Sequence, residues 1–177
     1  LKKKNYISKK LIMKKILFTT IIFSNFIFSQ NIDFEGFMNF SYSSNLGKIH
    51  LEVNNLDKEF LYINSLSRGI GNNDLGLDRG QLGNTRIVFF TKRGNKILLI
   101  QPNTKYVSNS NNYLENRAVE EAFARSVLFS FEIIEEKNNN YVIDLTPLLI
   151  NDAHGVAERL RYSNSGNYSL NKLMSAI

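Results

Sequence analysis

The stretch TRIVFFTKRGNKILLIQ, residues 85–101, consists of two runs rich in β-branched and aromatic residues, joined at Lys92-Arg93-Gly94-Asn95. The Val, Ile, Phe and Thr residues in these runs favour extended backbone. Gly94 and Asn95, at the centre, are typical of a tight turn that needs positive φ angles. The stretch therefore predicts a β-hairpin and indicates an antiparallel fold.

The segment before this hairpin, residues 46–66, alternates in the same way. In LGKIHLEVNN the side chains of Ile49, Leu51 and Val53 share one face of a strand. KEFLYINSL, residues 58–66, follows after a polar turn and also alternates. We therefore expect these two strands to pair with each other as a hairpin.

One substantial helix is predicted after residue 101, from Tyr113 to about Leu128. Asn112 suits the N-cap position, and Glu115 follows three residues later, as in a capping box. Apolar residues recur through the segment at i, i+4 spacing, which is typical of a helix with one buried face.

The residues after this helix return to strands. FSFEIIEEK (129–137) and YVIDLT (141–146) flank an asparagine turn, and Thr146 with Pro147 is typical of a short helix start. Successive hairpins and one main helix predict an α+β fold, mainly antiparallel β, with helix 113–128 packed on the sheet. The βα alternation of a doubly wound fold is missing.

The N-terminal residues are typical of a targeting segment. In MKKILFTTIIFSNFIFSQ, two lysines precede an apolar run of about a dozen residues, which indicates a signal peptide over 13–29. Residues 1–12 are then an extended n-region or upstream sequence translated in error. We expect a lead-in or linker over 30–46 and a domain over 47–177. The protein is predicted to be secreted, periplasmic or in the cell envelope, without a stable membrane span after cleavage; an uncleaved anchor is the alternative.

The charge distribution argues against nucleic-acid binding. The formal net charge is +6, but seven of the 22 Lys and Arg residues precede residue 30 and no Asp or Glu does. The rest of the chain then carries 15 cations against 16 anions, so no basic surface for nucleic acid is expected. The chain has no cysteine, which excludes disulfides, thiol catalysis and a lipoprotein anchor.

A glycine-rich stretch, SRGIGNNDLGLDRGQLG at 67–83, holds five of the ten glycines. Asp74 stands where the dinucleotide-binding pattern G-x-G-x-x-G has its third glycine, which argues against that function. Weak calcium binding stays open, although the EF-hand spacing is missing. We expect an ordered loop in which Asp78, Arg79 and Gly80 form a structural or binding element. The side chains of Asp78 and Arg79 would form hydrogen bonds with buried backbone groups or pair with each other.

Patterns for catalysis and metal binding are sparse. The two histidines are His50, on the polar face of a predicted strand, and His154, with Asp152 and Glu158 nearby in DAHGVAE. The zinc-protease motif H-E-x-x-H and the serine motif G-x-S-x-G are both absent from the sequence. We therefore predict no catalytic, cofactor-binding or metal-binding residue in this chain.

Three longer segments carry a family resemblance. GIGNNDLGLDRGQ, RAVEEAFARSVL and DLTPLLINDAHGV resemble an uncharacterised domain found upstream of the catalytic domain in secreted bacterial zinc-dependent metalloproteases of the metzincin type. The resemblance runs from about Gly47 to Ile177. It implies an extracytoplasmic protein associated with peptide-bond hydrolysis, with zinc in the full-length family protein and none in this chain.

The resemblance therefore predicts an N-terminal accessory domain, inactive alone, whose partner in cis is a catalytic metalloprotease domain. The family's zinc-binding helix lies downstream, so the chain is expected to be truncated at its C-terminal end, and no catalytic residue is carried over. Two alternatives stay open: a free-standing exported β-rich module that binds peptide or glycan through the loop between the hairpins, and an enzyme in its own right.

Overall fold

The computed structural model describes residues 31–71 and 73–177. The predicted signal peptide at 13–29 and the segment 1–12 lie outside the described residues. The strands are β1 (Asn31–Phe34), β2 (Phe40–Ser43), β3 (Lys48–Val53), β4 (Phe60–Tyr62), β5 (Arg86–Arg93), β6 (Lys96–Gln101), β7 (Ser126–Lys137) and β8 (Asn140–Asp144). The helices are α1 (Tyr113–Ala122), α2 (Thr146–Leu149) and α3 (Val156–Tyr162), with 3₁₀ turns at Asn73–Leu75 and Lys172–Met174.

These strands form one antiparallel sheet in the order β1-β2-β3-β8-β7-β6-β5-β4. β5 and β6 form the predicted hairpin, and Gly94 in its turn has a φ of 61°. β7 and β8 pair around Asn138 and Asn139, which both have positive φ. The predicted fold class, α+β and mainly antiparallel β, is confirmed.

The sheet curls so that one face closes around a hydrophobic core. β3 and β5 are separated by three strands in the sheet, yet residues of both belong to the same buried cluster, which requires strong curvature. Phe60 of β4 contacts the cluster from the sheet edge, with its ring centroid 5.4 Å from that of Phe90. The buried members are Leu51, Val53, Val88, Phe90, Ile97, Leu99, Phe131, Tyr141 and Ile143.

The predicted hairpin within residues 46–66 is wrong. β3 pairs with β2 and β8, so both of its edges are occupied, and β4 pairs with β5 at the far edge of the sheet. Asp57, in left-handed backbone, donates its N–H to the carbonyl of Phe90 at 2.7 Å. The turn therefore carries the chain across the core instead of reversing it, although Leu51 and Val53 are buried as their alternation predicts.

The lead-in or linker expected over 30–46 contains two strands in its described part, residues 31–46. β1 pairs with β2, and β2 pairs with β3, so both strands extend the sheet. The rings of Phe34 and Phe40 stack with centroids 4.6 Å apart, and Phe40 packs against the core cluster. This aromatic packing explains why the segment belongs to the domain.

The main helix is shorter than the predicted span of 113–128. Its start is as expected, since the side chain of Asn112 accepts a hydrogen bond from the N–H of Leu114 at 3.0 Å. However, Val127 belongs to β7, where it pairs with Ile100 of β6, so the helix ends before it. α1 has no buried residue and lies over a cleft beside the sheet.

Candidate functional site

The glycine-rich loop is closed by backbone hydrogen bonds to the chain that continues β4. Leu66 donates to the carbonyl of Gln81 at 3.0 Å. In return, Gly80 donates to the carbonyl of Leu66 at 2.7 Å, and Gly83 donates to that of Asn64 at 2.8 Å. The ladder of β4 and β5 therefore extends beyond Tyr62, and the loop emerges from its end.

Leu77 anchors this loop, because its side chain is only 1% exposed. Ile70 donates its N–H to the carbonyl of Leu77 at 3.2 Å. A Cβ added at Gly69 would lie 3.0 Å from that carbonyl oxygen and 3.2 Å from the nitrogen of Arg79. The close approach of the backbone therefore favours glycine at this position.

Asp78, Arg79 and Gly80, the loop residues singled out by the sequence, lie exposed in the turn that closes the loop. Gly80 has a φ of 82°, which favours glycine, and its N–H is part of the ladder. The expected pairing of Asp78 with Arg79 is not found: in the part of the chain that the structure describes, neither side chain forms an ion pair or hydrogen bond. Backbone contacts and Leu77 hold the loop instead.

Helix α3 is fixed at its start and against the loop. The carboxylate of Asp152 accepts hydrogen bonds from the N–H groups of Val156 and Ala157 at 2.7 and 2.9 Å, which satisfies donors that a helix start leaves open. Farther along, the guanidinium of Arg159 donates to the carbonyl of Leu75 at 3.2 Å. α3 and the glycine-rich loop are thus held together.

Helix α2 is locked onto β3 by a small polar network. Asp144 accepts hydrogen bonds from Lys48 at 2.8 Å and from the N–H of Thr146 at 3.0 Å. Partial burial opposes ionisation of Asp144, but these hydrogen bonds outweigh it and hold the pKa of its carboxyl below the usual value. Thr146, predicted to lie at the helix start, is the first residue of α2, and its hydroxyl accepts a hydrogen bond from the N–H of Ile49 at 2.9 Å.

These elements enclose a cleft of ≈ 650 Å³, the edge cleft. One wall is β4 and its continuation, residues 62–67, and the opposite wall is formed by α2, α3 and residues 168–170. The side-chain atoms Nδ2 of Asn64 and Nε2 of His154 are buried and have no hydrogen-bond partner among the described residues. The lining residues are Tyr62, Ile63, Asn64, Ser65, Leu66, Ser67, Leu148, Leu149, Asn151, Asp152, Ala153, His154, Val156, Ala157, Leu160, Tyr168, Ser169 and Leu170.

A second cleft, the helix cleft, has a volume of ≈ 880 Å³ and lies under α1. Charged residues from three segments line it, including Asp57, Glu120 and Arg125. The rings of Tyr106 and Phe123 stack at 4.2 Å and hold the end of α1 against the preceding loop. This cleft is wider and more polar than the edge cleft.

A family described as a domain of unknown function, DUF5117, matches residues 80–176, more than half of the chain. The chain belongs to the DUF5117 family. No curated protein and no solved structure matches it. The matched part of the DUF5117 chain includes β5 to β8 and all three helices, and therefore the helical wall of the edge cleft. The β4 wall lies before the matched residues.

Two kinds of feature are absent from the described part of the DUF5117 chain, residues 31–71 and 73–177. Over these residues, no group of three or more Asp, Glu or His side chains is arranged to hold a metal ion. Likewise, no helix there has the length and apolar character needed to cross a membrane.

The residues that build the edge cleft were missed by sequence reasoning. The sequence around His154 indicates at most a metal ligand, and Asn64 is one polar residue in an alternating strand. Leu77 stands among glycines and polar residues, where no periodicity predicts burial. The usable signal was the segment FLYINSLS (60–67), which has neither the charges nor the proline that natural proteins place on sheet edges.

Proposed function

We propose that this DUF5117 chain is the non-catalytic N-terminal accessory domain of a secreted zinc-dependent metalloprotease, which it supports or positions in cis. The family resemblance supports this role. Of the three segments that carry it, RAVEEAFARSVL and DLTPLLINDAHGV lie within the residues that match the family. Export through the signal peptide at 13–29 is part of the same proposal.

The observation that carries the proposal is the exposed apolar surface of residues 162–177. Leu173 is 98% exposed and Met174 is 85% exposed, and four more apolar residues of this segment are exposed: Tyr162, Tyr168, Leu170 and Ile177. Burying one such side chain fully is worth about 1.5–3 kcal/mol. Surfaces of this kind are typical of contacts with another domain or protein.

The two histidines of this chain do not meet in a cluster of metal ligands among the described residues. The histidines His50 and His154 are on β3 and between α2 and α3, and among the described residues they belong to no cluster of three ligands. A tetrahedral catalytic zinc needs three protein ligands. In this proposal, hydrolysis belongs to the downstream domain, and the apolar surface of residues 162–177 contacts that domain.

The test is to read the DNA beyond the codon for Ile177 in all three frames. The proposal expects an H-E-x-x-H codon pattern within several hundred codons, in a segment that encodes a helix. A stop codon followed by an unrelated gene would contradict the accessory role and favour the free-standing binding module.

A further inference from the structure

The edge cleft contains a free strand edge. β4 is the last strand of the sheet, and among the described residues it pairs only with β5. The backbone groups of Asn64 and Leu66 point toward the paired side, as their hydrogen bonds to Gly83 and Gln81 show. Since successive residues of a strand alternate, the N–H and C=O groups of Ile63 and Ser65 point away from the sheet.

These outward N–H and C=O groups can form hydrogen bonds with another strand. Within residues 31–71 and 73–177, the N–H groups of Ile63 and Ser65 form no backbone hydrogen bond. Natural proteins usually protect such an edge with Lys, Pro or a covering element. Residues 60–67 carry no charge and no proline, and the edge forms a wall of a cleft instead.

Two buried side-chain atoms in the same cleft also lack partners. These are Nδ2 of Asn64, which is a donor, and Nε2 of His154, on the opposite wall. A buried polar group without a partner is destabilising, so such atoms mark a strained part of the cleft. Peptide groups carry both a donor and an acceptor, so a bound peptide backbone can supply the partners that the outward edge of β4 lacks.

The lining of the cleft indicates an uncharged occupant. Asp152 is the one Asp, Glu, Lys or Arg among the described lining residues, and its carboxylate already accepts from Val156 and Ala157. Much of the remaining lining is aliphatic, including Leu148 and Leu160. Apart from Asp152 and His154, the lining side chains are uncharged, so the apolar side chains of a bound ligand find matching surface there.

We infer that the edge cleft binds an extended, uncharged peptide, which adds to β4 as a further strand. Strand addition of this kind obtains affinity from main-chain hydrogen bonds and specificity from pockets for alternate side chains. A six-residue segment spans about 20 Å, the length of the outward-facing edge from Leu61 to Ser67. The inference goes beyond the accessory role and does not depend on it.

The test uses the 177-residue chain and a mixture of end-blocked, uncharged hexapeptides. In these peptides Val, Ile, Leu or Phe occupies positions 1, 3 and 5, and Thr, Ser or Asn occupies the others. Amide hydrogen exchange is measured by NMR at Ile63 and Ser65. At peptide concentrations of about ten times Kd, exchange at both positions is expected to slow about tenfold. Unchanged exchange at millimolar peptide would overturn the inference.

Matched variants separate binding from folding. Ala157→Trp fills the cleft and is expected to abolish the protection, whereas Glu158→Trp, on the same helix but outside the lining, is expected to retain it. Equal protection in both variants contradicts the site. Hydrogen exchange in β5 and β6 checks that each variant is folded.

Other occupants give distinct outcomes. Protection by the neutral glycan maltohexaose, and not by the peptides, would assign the cleft to sugar and overturn the inference. A dimer in sedimentation, with Ile63 and Ser65 protected without peptide, would assign the edge to a second copy. Neither result bears on the accessory role, which the downstream DNA tests separately.

Discussion

The two clefts of the domain differ in what surrounds them more than in size. The helix cleft is larger, ≈ 880 against ≈ 650 Å³, but charged side chains line it and its roof, α1, buries no residue. The edge cleft is lined mainly by apolar side chains, a free strand edge and two unpartnered polar atoms. Unmet hydrogen-bonding groups beside apolar surface indicate a binding site better than volume does.

The supports of the two clefts differ as well. A buried leucine, a helix cap and a polar network fix the walls of the edge cleft. In contrast, α1 is held mainly by its N-cap and by the stacking of Tyr106 on Phe123. Supports like those of the edge cleft keep a binding site preorganised. A wall that becomes ordered only on binding lowers the affinity, because the ordering costs conformational entropy.

The largest expected effect on the free energy of unfolding is at Leu77, the buried residue that anchors the loop next to the β4 wall. Leu77→Ala leaves a cavity and is expected to lower the free energy of unfolding by about 3 kcal/mol. The matched change Leu114→Ala, at an exposed position of α1, is expected to alter it by less than about 0.5 kcal/mol. Urea unfolding measures the free energy of unfolding of both variants. Similar losses for the two would contradict the difference in support between the edge cleft and α1.

The polar network that holds α2 on β3 is expected to contribute less to the free energy of unfolding than Leu77 does. Asp144→Asn removes the ion pair with Lys48 and is expected to cost about 1 kcal/mol at pH 7. The folded-state pKa of Asp144 is lowered from 3.8, so its stabilisation is present above that value and is lost as pH falls through the folded pKa.

The wild type and Asp144→Asn should therefore converge in stability at the acid end, in urea titrations followed from pH 7 to pH 2. Glu132→Gln is the control, because its pair with Lys96 is largely exposed and is expected to matter by less than about 0.5 kcal/mol. A difference between wild type and Asp144→Asn that persists unchanged to pH 2 would exclude ionisation of Asp144 as its cause.

A glycine beside Asn64 provides a change directed at the cleft itself. A Cβ at Gly83 would collide with the side-chain amide of Asn64, so Gly83→Ala is expected to displace this amide. We expect peptide binding to weaken about fivefold with a stability loss of about 0.5–1 kcal/mol. Gly36→Ala is the control, since a Cβ there would lie 4.0 Å from the nearest atom. Unaltered peptide affinity in Gly83→Ala would remove Asn64 from the site.

The smallest effects are expected at the charged residues of the glycine-rich loop. Asp78 and Arg79 are exposed, so their replacement by Ala should change the free energy of unfolding by less than about 0.5 kcal/mol each. Circular dichroism and urea unfolding measure this. Loss of folding in either variant would show that a side-chain contact of these residues supports the loop.

Local chemistry explains what the sequence predicts well. The β5–β6 hairpin follows from Gly94 and Asn95, and the turn between β7 and β8 follows from positive φ at two asparagines. The start of α1 follows from Asn112. In each case the deciding residues lie within a few positions of one another.

Pairing over longer distances escapes such reasoning. β3 and β4 both alternate, and nothing local shows that β2 and β8 occupy the edges of β3. The same holds for the candidate site. Asn64 and His154 are 90 positions apart and line one cleft only because the curled sheet places β4 beside α2 and α3. The sequence therefore singles out Asp78–Gly80 as a structural or binding element, but it does not predict the edge cleft.

The most direct test of the edge cleft as the binding site is an amide chemical-shift map of the 177-residue chain with the hexapeptide mixture. If the edge cleft binds the peptides, the perturbed amides cluster at residues 62–67 and 148–160, the two walls of the edge cleft. Perturbations that cluster instead at residues 102–125, around the helix cleft, would contradict it.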